Sequence, residues 1–299
     1  MGAHDRRQTL IATVLLIALT AVWGSTFFLI RDLVKEIPSA DFLAVRFAIA
    51  AALMVLMFRR QLRALDRRAV KIGLLLGVFY AVGQLLQTIG LEHTSASVSG
   101  FVTGMYVVFT PLLGALIFRD RITPAMWIAV AMSTAGLAVL ALKGFSLGVG
   151  EVLTLGAAAV YGLHIVGSGR WARPETAFGL STVQALVITV ICAAAALPHG
   201  IVLPSTGGQW TVMLYMATAS SVAALIIQTW AQAHMSATRA AVTMTMEPVF
   251  AAAFAVTLGG EHLTIRMVIG GLMILSAMYI VELGGRRTQT PVEVHHQVS

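Results

Sequence analysis

The sequence predicts an all-α, polytopic membrane protein with ten transmembrane helices in two inverted repeats of five helices each. Three observations lead to this fold class. The 299 residues are 58% hydrophobic and only 11% charged, whereas a soluble domain carries roughly 25% charged residues. Apolar segments long enough to cross a bilayer recur along the chain. Short sequence motifs also recur between its two halves.

The internal repeat is visible at a fixed offset of 141 residues. The segment Leu-Glu-His-Thr-Ser-Ala at 91–96 reappears as Gln-Ala-His-Met-Ser-Ala at 232–237. The same offset, or one of 138 residues nearer the N-terminus, relates further pairs: Asp120 and Glu261, Gln87 and Gln228, Trp23 and Tyr161, Arg46 and Gln184. Because each half holds an odd number of apolar segments, the second half must lie upside down in the membrane. Inverted repeats are typical of alternating-access transporters, whose substrate site lies near the bilayer midplane.

The ten predicted spans follow from windows of about 20 residues. They are 10–30, 40–58, 71–90, 97–118, 125–142, 150–170, 178–197, 210–231, 238–258 and 265–283. The first apolar run is longer than the core of a signal peptide and no small-x-small cleavage site follows it, so we expect a retained helix. These spans divide the chain into a first repeat at 1–145, an inverted second repeat at 146–285, and a disordered cytoplasmic tail at 286–299.

The distribution of basic residues predicts the orientation. With a cytoplasmic N-terminus, 15 of the 20 Lys and Arg residues face the cytoplasm. Only four face the other side: Arg31, Lys35, Lys143 and Arg266. The positive-inside rule therefore predicts that both termini lie on the cytoplasmic side of a bacterial inner membrane. The basic run at 59–71 is interpreted as a topology anchor beside anionic lipid. Basic residues form no patch with exposed aromatic residues, so no nucleic-acid partner is expected.

Polar side chains follow helical spacing in several spans, as in the stripe of Tyr80, Gln84 and Gln87 in the third span, which lipid-facing helices do not require. One interpretation is that these residues only connect helices through hydrogen bonds. The favoured interpretation is a central cavity that binds a small molecule. We expect its substrate-binding residues to be Trp23, Tyr80, Gln84, Tyr106, Tyr161, His164, Ser221 and Glu247. Pairs of glycines four residues apart in the third and fourth spans predict close helix approach.

Three ionisable residues lie inside predicted spans. Glu247, near the middle of the ninth span, is costly there unless it is paired or protonated. It is either a proton or ammonium site, or an acid that braces a kink. His164 is either a ligand or a satisfied interior histidine. Arg46 either binds a substrate carboxylate or has a structural or gating role, which we favour. We expect the same role for Pro111 and Pro248, because proline inside a helix produces a kink or hinge.

Several motifs resemble the EamA family of the drug/metabolite transporter superfamily over essentially the whole chain. They are Trp23-Gly24-Ser25-Thr26-Phe27, Arg46-Phe47, the run 106–113, Gly150-Glu151, Tyr161-Gly162, the run 247–251 and Gly260-Glu261. The resemblance implies ten helices and the export of metabolites, amino acids or toxic cations. Its nearest branch is that of YddG-type amino-acid exporters. Asp120 departs from the glutamate expected in that loop.

Other functional classes fit the sequence less well. No paired-aspartate or H-E-x-x-H motif is present, so an enzyme is not expected. Nothing resembles the selectivity filter of a channel. A flippase for a lipid or lipid-linked sugar, or an exporter of organic cations, stays open as an alternative. We expect no cofactor and no metal. The expected partners are a small-molecule substrate and membrane lipids, and the expected state is a monomer or weak homodimer.

Overall fold

The computed structural model describes residues 3–119, 122–141, 147–224, 226–228, 231 and 243–284. All regular secondary structure within these ranges is helical. Some of the predicted features lie outside the described residues: Asp120, Lys143, the repeated motif at 232–237, and the tail at 286–299.

Eleven α-helices can be bounded within the described ranges. They are α1 Ala3–Leu33, α2 Ser39–Arg63, α3 Arg67–Leu91, α4 Ala96–Gly104, α5 Tyr106–Phe118, α6 Pro124–Ala141, α7 Val149–Trp171, α8 Ala177–Ala196, α9 Gly207–Tyr215, α10 Glu247–Thr257 and α11 Ile265–Gly284. A π-helical segment, Met216–Ala223, continues α9. Short 3₁₀ turns lie at Pro174–Thr176 and Leu197–His199.

Seven stretches of helix among the described residues are long and apolar enough to cross a membrane. They are Leu10–Leu33, Ser39–Arg63, Arg67–Leu91, Ala96–Phe118, Val149–Trp171, Ala177–Ala196 and Gly207–Gln228. Three shorter apolar helices are Pro124–Leu140, Glu247–Thr257 and Ile265–Val281. Many large apolar side chains on these helices are exposed, including Leu56, Leu116 and Trp127, as expected for surfaces that contact lipid. The chain is thus an all-helical, multi-pass membrane protein.

The predicted fourth span is broken rather than continuous. Helix α4 ends at Gly104, Met105 forms a turn, and α5 begins at Tyr106. The kink therefore precedes Pro111, which lies inside α5. In the second half, a turn at Thr245–Met246 precedes α10. Pro248 consequently occupies the first turn of α10, where its missing N–H breaks no helical hydrogen bond.

The largest helix–helix interfaces join the two halves of the chain. Helix α2 packs on α8, α3 on α7 and α8, α6 on α11, α1 on α10, and α10 also on α4. Glycine permits the closest of these approaches. A Cβ added at Gly24 of α1 would lie 2.7 Å from the backbone nitrogen of Ala251 in α10. One added at Gly77 of α3 would lie 2.7 Å from the Cβ of Val187 in α8.

Candidate functional site

Arg46 lies in the N-terminal half of α2, away from the basic residues of its last turn, and is 4% exposed. Its Nε and Nη2 atoms donate hydrogen bonds of 3.3 and 3.2 Å to the Ser221 hydroxyl, and Nη2 donates another of 3.2 Å to the Ser220 hydroxyl. The guanidinium also lies 5.0 Å from the centre of the Phe47 ring and 6.0 Å from that of Phe42. These neighbours solvate the cation but do not neutralise it.

The partners of Arg46 lie on the π-helical segment Met216–Ala223. π-Helical turns are rare and occur frequently at functional sites. The Ser221 hydroxyl donates to the carbonyl of Met216, five residues earlier. The indole N–H of Trp23 in α1 donates a 3.1 Å hydrogen bond to the Ser220 carbonyl. The segment is therefore fastened to both α1 and α2.

Tyr80 of α3 is the centre of an aromatic group. Its ring contacts Phe47 edge-on at a centroid distance of 5.8 Å, Tyr161 at 6.2 Å and His164 at 5.4 Å. Tyr161 and His164 lie one helical turn apart on α7, so they present one face to α3. Gln84 follows Tyr80 by one turn on α3 and is buried.

Two glutamines fix the orientation of this aromatic group. The Tyr161 hydroxyl donates a 2.7 Å hydrogen bond to the side-chain oxygen of Gln87, whose amide reaches the Thr103 hydroxyl at 3.4 Å. His164 Nε2 lies 2.7 Å from the side-chain oxygen of Gln184 on α8. Because a carboxamide oxygen only accepts, Nε2 carries the proton in this arrangement.

Glu247 begins α10 and accepts a hydrogen bond from the Tyr106 hydroxyl at the start of α5. Glu247 and Arg46 each interact electrostatically with both Tyr80 and Tyr161. The cation and the acid form no ion pair with each other. The aromatic group is thus within electrostatic reach of one positive and one negative side chain.

The predicted site residues are largely brought together. Ser221 contacts Arg46, Trp23 binds the carbonyl of the adjacent Ser220, Tyr161 and His164 meet around Tyr80, and Tyr106 meets Glu247. Several keep partial solvent access although they lie within spans: Trp23, Tyr80, Tyr106, His164, Ser221 and Glu247. Sequence reasoning placed Gln87 in a polar stripe but left it, Gln184 and Ser220 out of the site. The signal for Gln184 was present, since it is the repeat counterpart of Arg46. No group of three metal-ligating side chains occurs in the described part of the chain.

A second polar cluster lies where α1 ends and α4 begins. The Glu261 carboxylate accepts hydrogen bonds from the Ala96 N–H at 2.6 Å, the Ser97 N–H at 3.2 Å and the Ser97 hydroxyl. It also pairs with Arg31 at 2.7 Å, and Arg31 donates to the Gly259 carbonyl. An acid at a helix N-terminus is favourable. We call Arg31, Glu261 and the start of α4 the Glu261 clamp.

A cavity of about 500 Å³ lies beside the Glu261 clamp. Its lining includes the cations Arg31, Lys35 and Arg266. These are three of the four basic residues that the sequence assigns to the non-cytoplasmic side. The three cations therefore lie at the same end of the bundle.

Comparison with known proteins identifies the family. The model of the EamA-like transporter family matches this chain twice, at residues 10–142 and 148–283. The chain belongs to the EamA-like transporter family. The resemblance carried by its sequence motifs is thereby confirmed, and membership of this family indicates a transporter.

Individual EamA relatives cover nearly the full length. An uncharacterised transporter of Archaeoglobus fulgidus is 28% identical over 94% of this chain and 89% of its own length. The inner membrane transporter YedA of Escherichia coli is 29% identical over 93% and 92%. The pseudopaline exporter CntI of Pseudomonas aeruginosa is 27% identical over 87% and 93%. A solved crystal structure with 17% identity matches the fold with a TM-score of 0.64, over 93% of this chain and 99% of that one.

Proposed function

We propose that this EamA-family protein exports small metabolites, namely amino acids with aromatic or other apolar side chains, across a bacterial inner membrane. The observation that carries the proposal is the aromatic group around Tyr80, with Tyr161 and His164 held in place by glutamines. Rings supply apolar stacking area and attraction for a cation, while the amides and hydroxyls orient polar groups. Glu247, within electrostatic reach of the same rings, suits the ammonium group of such a substrate.

The proposed architecture has ten spans in two inverted repeats, at 1–145 and 146–285, followed by a tail at 286–299. The packing supports it, because some of the interfaces are matched under exchange of the halves. Helix α1 packs on α10 as α7 packs on α5, and α2 packs on α8 across the centre. We propose that both termini are cytoplasmic and that the protein is a monomer or weak homodimer.

Transport would proceed by alternating access to the central site. The Glu261 clamp supports this proposal, since it ties α1, α4 and the loop after α10 together at one end of the bundle. In the proposed orientation this end faces outward. Its opening and closing would control release of the substrate, and the breaks before Tyr106 and Glu247 would let the helix halves move separately.

The test is transport in proteoliposomes that contain the purified full-length protein. Labelled aromatic and aliphatic amino acids are compared with organic cations, with and without an imposed pH gradient. Uptake of amino acids above that of empty vesicles supports the proposal. Movement of organic cations alone, or of fluorescent lipid between leaflets without amino-acid transport, would favour the corresponding alternative.

A further inference from the structure

We propose that Arg46, held by Ser220 and Ser221, binds the carboxylate of the transported amino acid. This assignment rests on the proposed amino-acid export and adds to it a position for the negative end of the substrate. It revises the structural role that the sequence favoured for Arg46.

The first reason is the uncompensated charge of Arg46. A buried arginine is ordinarily paired with an acid, because removing a charge from water costs several kcal/mol. Among the described residues, Arg46 has only neutral partners, namely two serine hydroxyls and two phenylalanine rings. The undescribed residues that follow the π-helical segment, 225, 229–230 and 232–242, include no Asp or Glu in the sequence either. An anionic ligand that binds and dissociates in each transport cycle would supply the missing counter-charge.

The second reason is the geometry of the guanidinium. The serine hydroxyls take up Nε and Nη2. Within the described part of the chain, Nη1 donates no hydrogen bond. A guanidinium presents five N–H donors in a planar fork that matches the two oxygens of a carboxylate. The serines therefore take up the Nε–H and both N–H groups of Nη2, and the two N–H groups of Nη1 are left to donate to a carboxylate oxygen of the ligand.

The third reason is the π-helical segment itself. Consecutive side chains of a regular α-helix point about 100° apart, which makes it difficult for neighbours to reach one group. Here Ser220 and Ser221 both contact the same guanidinium. The wider π-helical turn provides this convergence, and Trp23 anchors the Ser220 carbonyl from α1. Three elements thus orient Arg46, namely α2, the π-helical segment and α1. A residue that served only in packing would not require so many contacts.

The fourth reason is the position of the opposite charge. Glu247 and Arg46 both act on Tyr80 and Tyr161 without pairing with each other. An α-amino acid has a carboxylate and an ammonium joined through one carbon, with a side chain that can lie on aromatic rings. Arg46, Glu247 and the tyrosines supply one complementary group for each of these three parts.

The test compares each amino acid with the amine that lacks its carboxylate: phenylalanine with phenethylamine, and leucine with isoamylamine. Affinities are measured on the purified full-length protein. We expect Arg46→Gln to weaken binding of the acids by about 10- to 100-fold, as for loss of a charged hydrogen bond, with little change for the amines. Arg60→Gln removes the same charge from the exposed end of α2 and should leave the acid-to-amine ratio unchanged.

The outcomes of this comparison distinguish the role of Arg46 from the proposed amino-acid export. Equal losses for acids and amines in Arg46→Gln would overturn the role of Arg46 and leave amino-acid export intact. A wild-type protein that binds no amino acid would overturn both proposals. If Arg46→Gln does not fold, Arg46→Lys and Ser221→Ala carry the test. Both should reduce the acid-to-amine ratio by a few-fold, because lysine lacks the planar fork and alanine leaves the fork less firmly oriented.

Discussion

Tyr106 donates a hydrogen bond to Glu247, and these two residues are 141 positions apart, the offset at which the sequence motifs recur. Each is the first residue of a helix that follows a break. The helices meet closely here, since a Cβ added at Gly104 would lie 3.3 Å from the Cγ of Pro248. The polar pair therefore joins the two halves where α5 and α10 begin.

Loss of the Glu247 carboxylate should weaken the binding of substrates that carry an ammonium group. We expect Glu247→Gln to reduce amino-acid transport by about tenfold or more, because a charge-assisted contact contributes about 1.5–3 kcal/mol. Tyr106→Phe should have a smaller effect, since it removes one hydrogen bond and leaves the carboxylate. Initial transport rates in proteoliposomes check both variants. A full wild-type rate in Glu247→Gln would contradict a role in ammonium binding.

Transport should follow the substrate gradient without dependence on a pH gradient. A cytoplasm rich in amino acids supplies the driving force for export, so no coupling ion is required. Wild-type vesicles are compared with and without an imposed pH gradient at the same substrate gradient. If the wild type responds to the pH gradient and Glu247→Gln does not, Glu247 is instead a proton-coupling site, and this prediction is wrong.

Removal of the aromatic group should reduce transport while the protein still folds. Alanine at Trp23, Tyr80 or His164 deletes a ring that the proposed site uses, and we expect at least a several-fold lower rate from each variant. Trp127→Ala is the matched control, because this ring is 59% exposed on α6 and is not part of the proposed site. Expression is measured alongside transport. Wild-type rates in all three single variants would remove the case for this pocket.

The predicted topology can be checked by cysteine labelling. Cys192 is buried in α8, and its replacement by serine gives a background without other cysteines. We expect position 199 to react with an impermeant reagent from outside, and position 63 only from inside. Reaction of both positions from one side would contradict the inverted arrangement, because α2 and α8 would then end on the same face.

The Glu261 clamp should contribute measurably to stability. Glu261 and Arg31 are 11% and 15% exposed, and Glu261 also binds the first N–H groups of α4. Glu261→Ala should therefore destabilise the protein by roughly 2 kcal/mol or more, since it removes the acceptor of the first N–H groups of α4 and the less exposed of the two carboxylates that pair with Arg31. Asp32→Asn is the control, because its 47% exposed side chain makes an ion pair of the surface type, which is worth about 1 kcal/mol at most. Thermal unfolding in detergent measures both.

Much of the fold follows from composition and periodicity, whereas the local breaks do not. Apolar runs of the length of a bilayer reveal where helices lie, because hydrocarbon leaves no other arrangement for the backbone. The proline pattern predicted a kink at Pro111, whereas the turn lies at Met105, six residues earlier. No sequence pattern predicts the π-helical turn at Ser220, since Ser and Ala also occur in regular α-helices.

The candidate site was likewise predictable from the sequence only in part. The stripe on α3 indicated Tyr80 and Gln87 correctly as one face, because helical spacing is a local property. The contact between Arg46 and Ser221 joins residues 175 positions apart, and only the tertiary packing brings them together. Glu261 was visible as half of a repeated motif, but its hydrogen bonds to α4 depend on the same packing.

The interlocking of the halves has a consequence for how the protein is made. As the ribosome delivers α1 to α6, most of their partner helices do not yet exist. Arg46 enters the membrane long before Ser220 and Ser221 have been synthesised. Each half expressed alone should be degraded, whereas halves separated within the stretch 142–148 and expressed together should assemble. Until synthesis nears completion, the helices of the first half present faces in the bilayer that lack their partner helices. The insertion machinery must keep these faces from making other contacts.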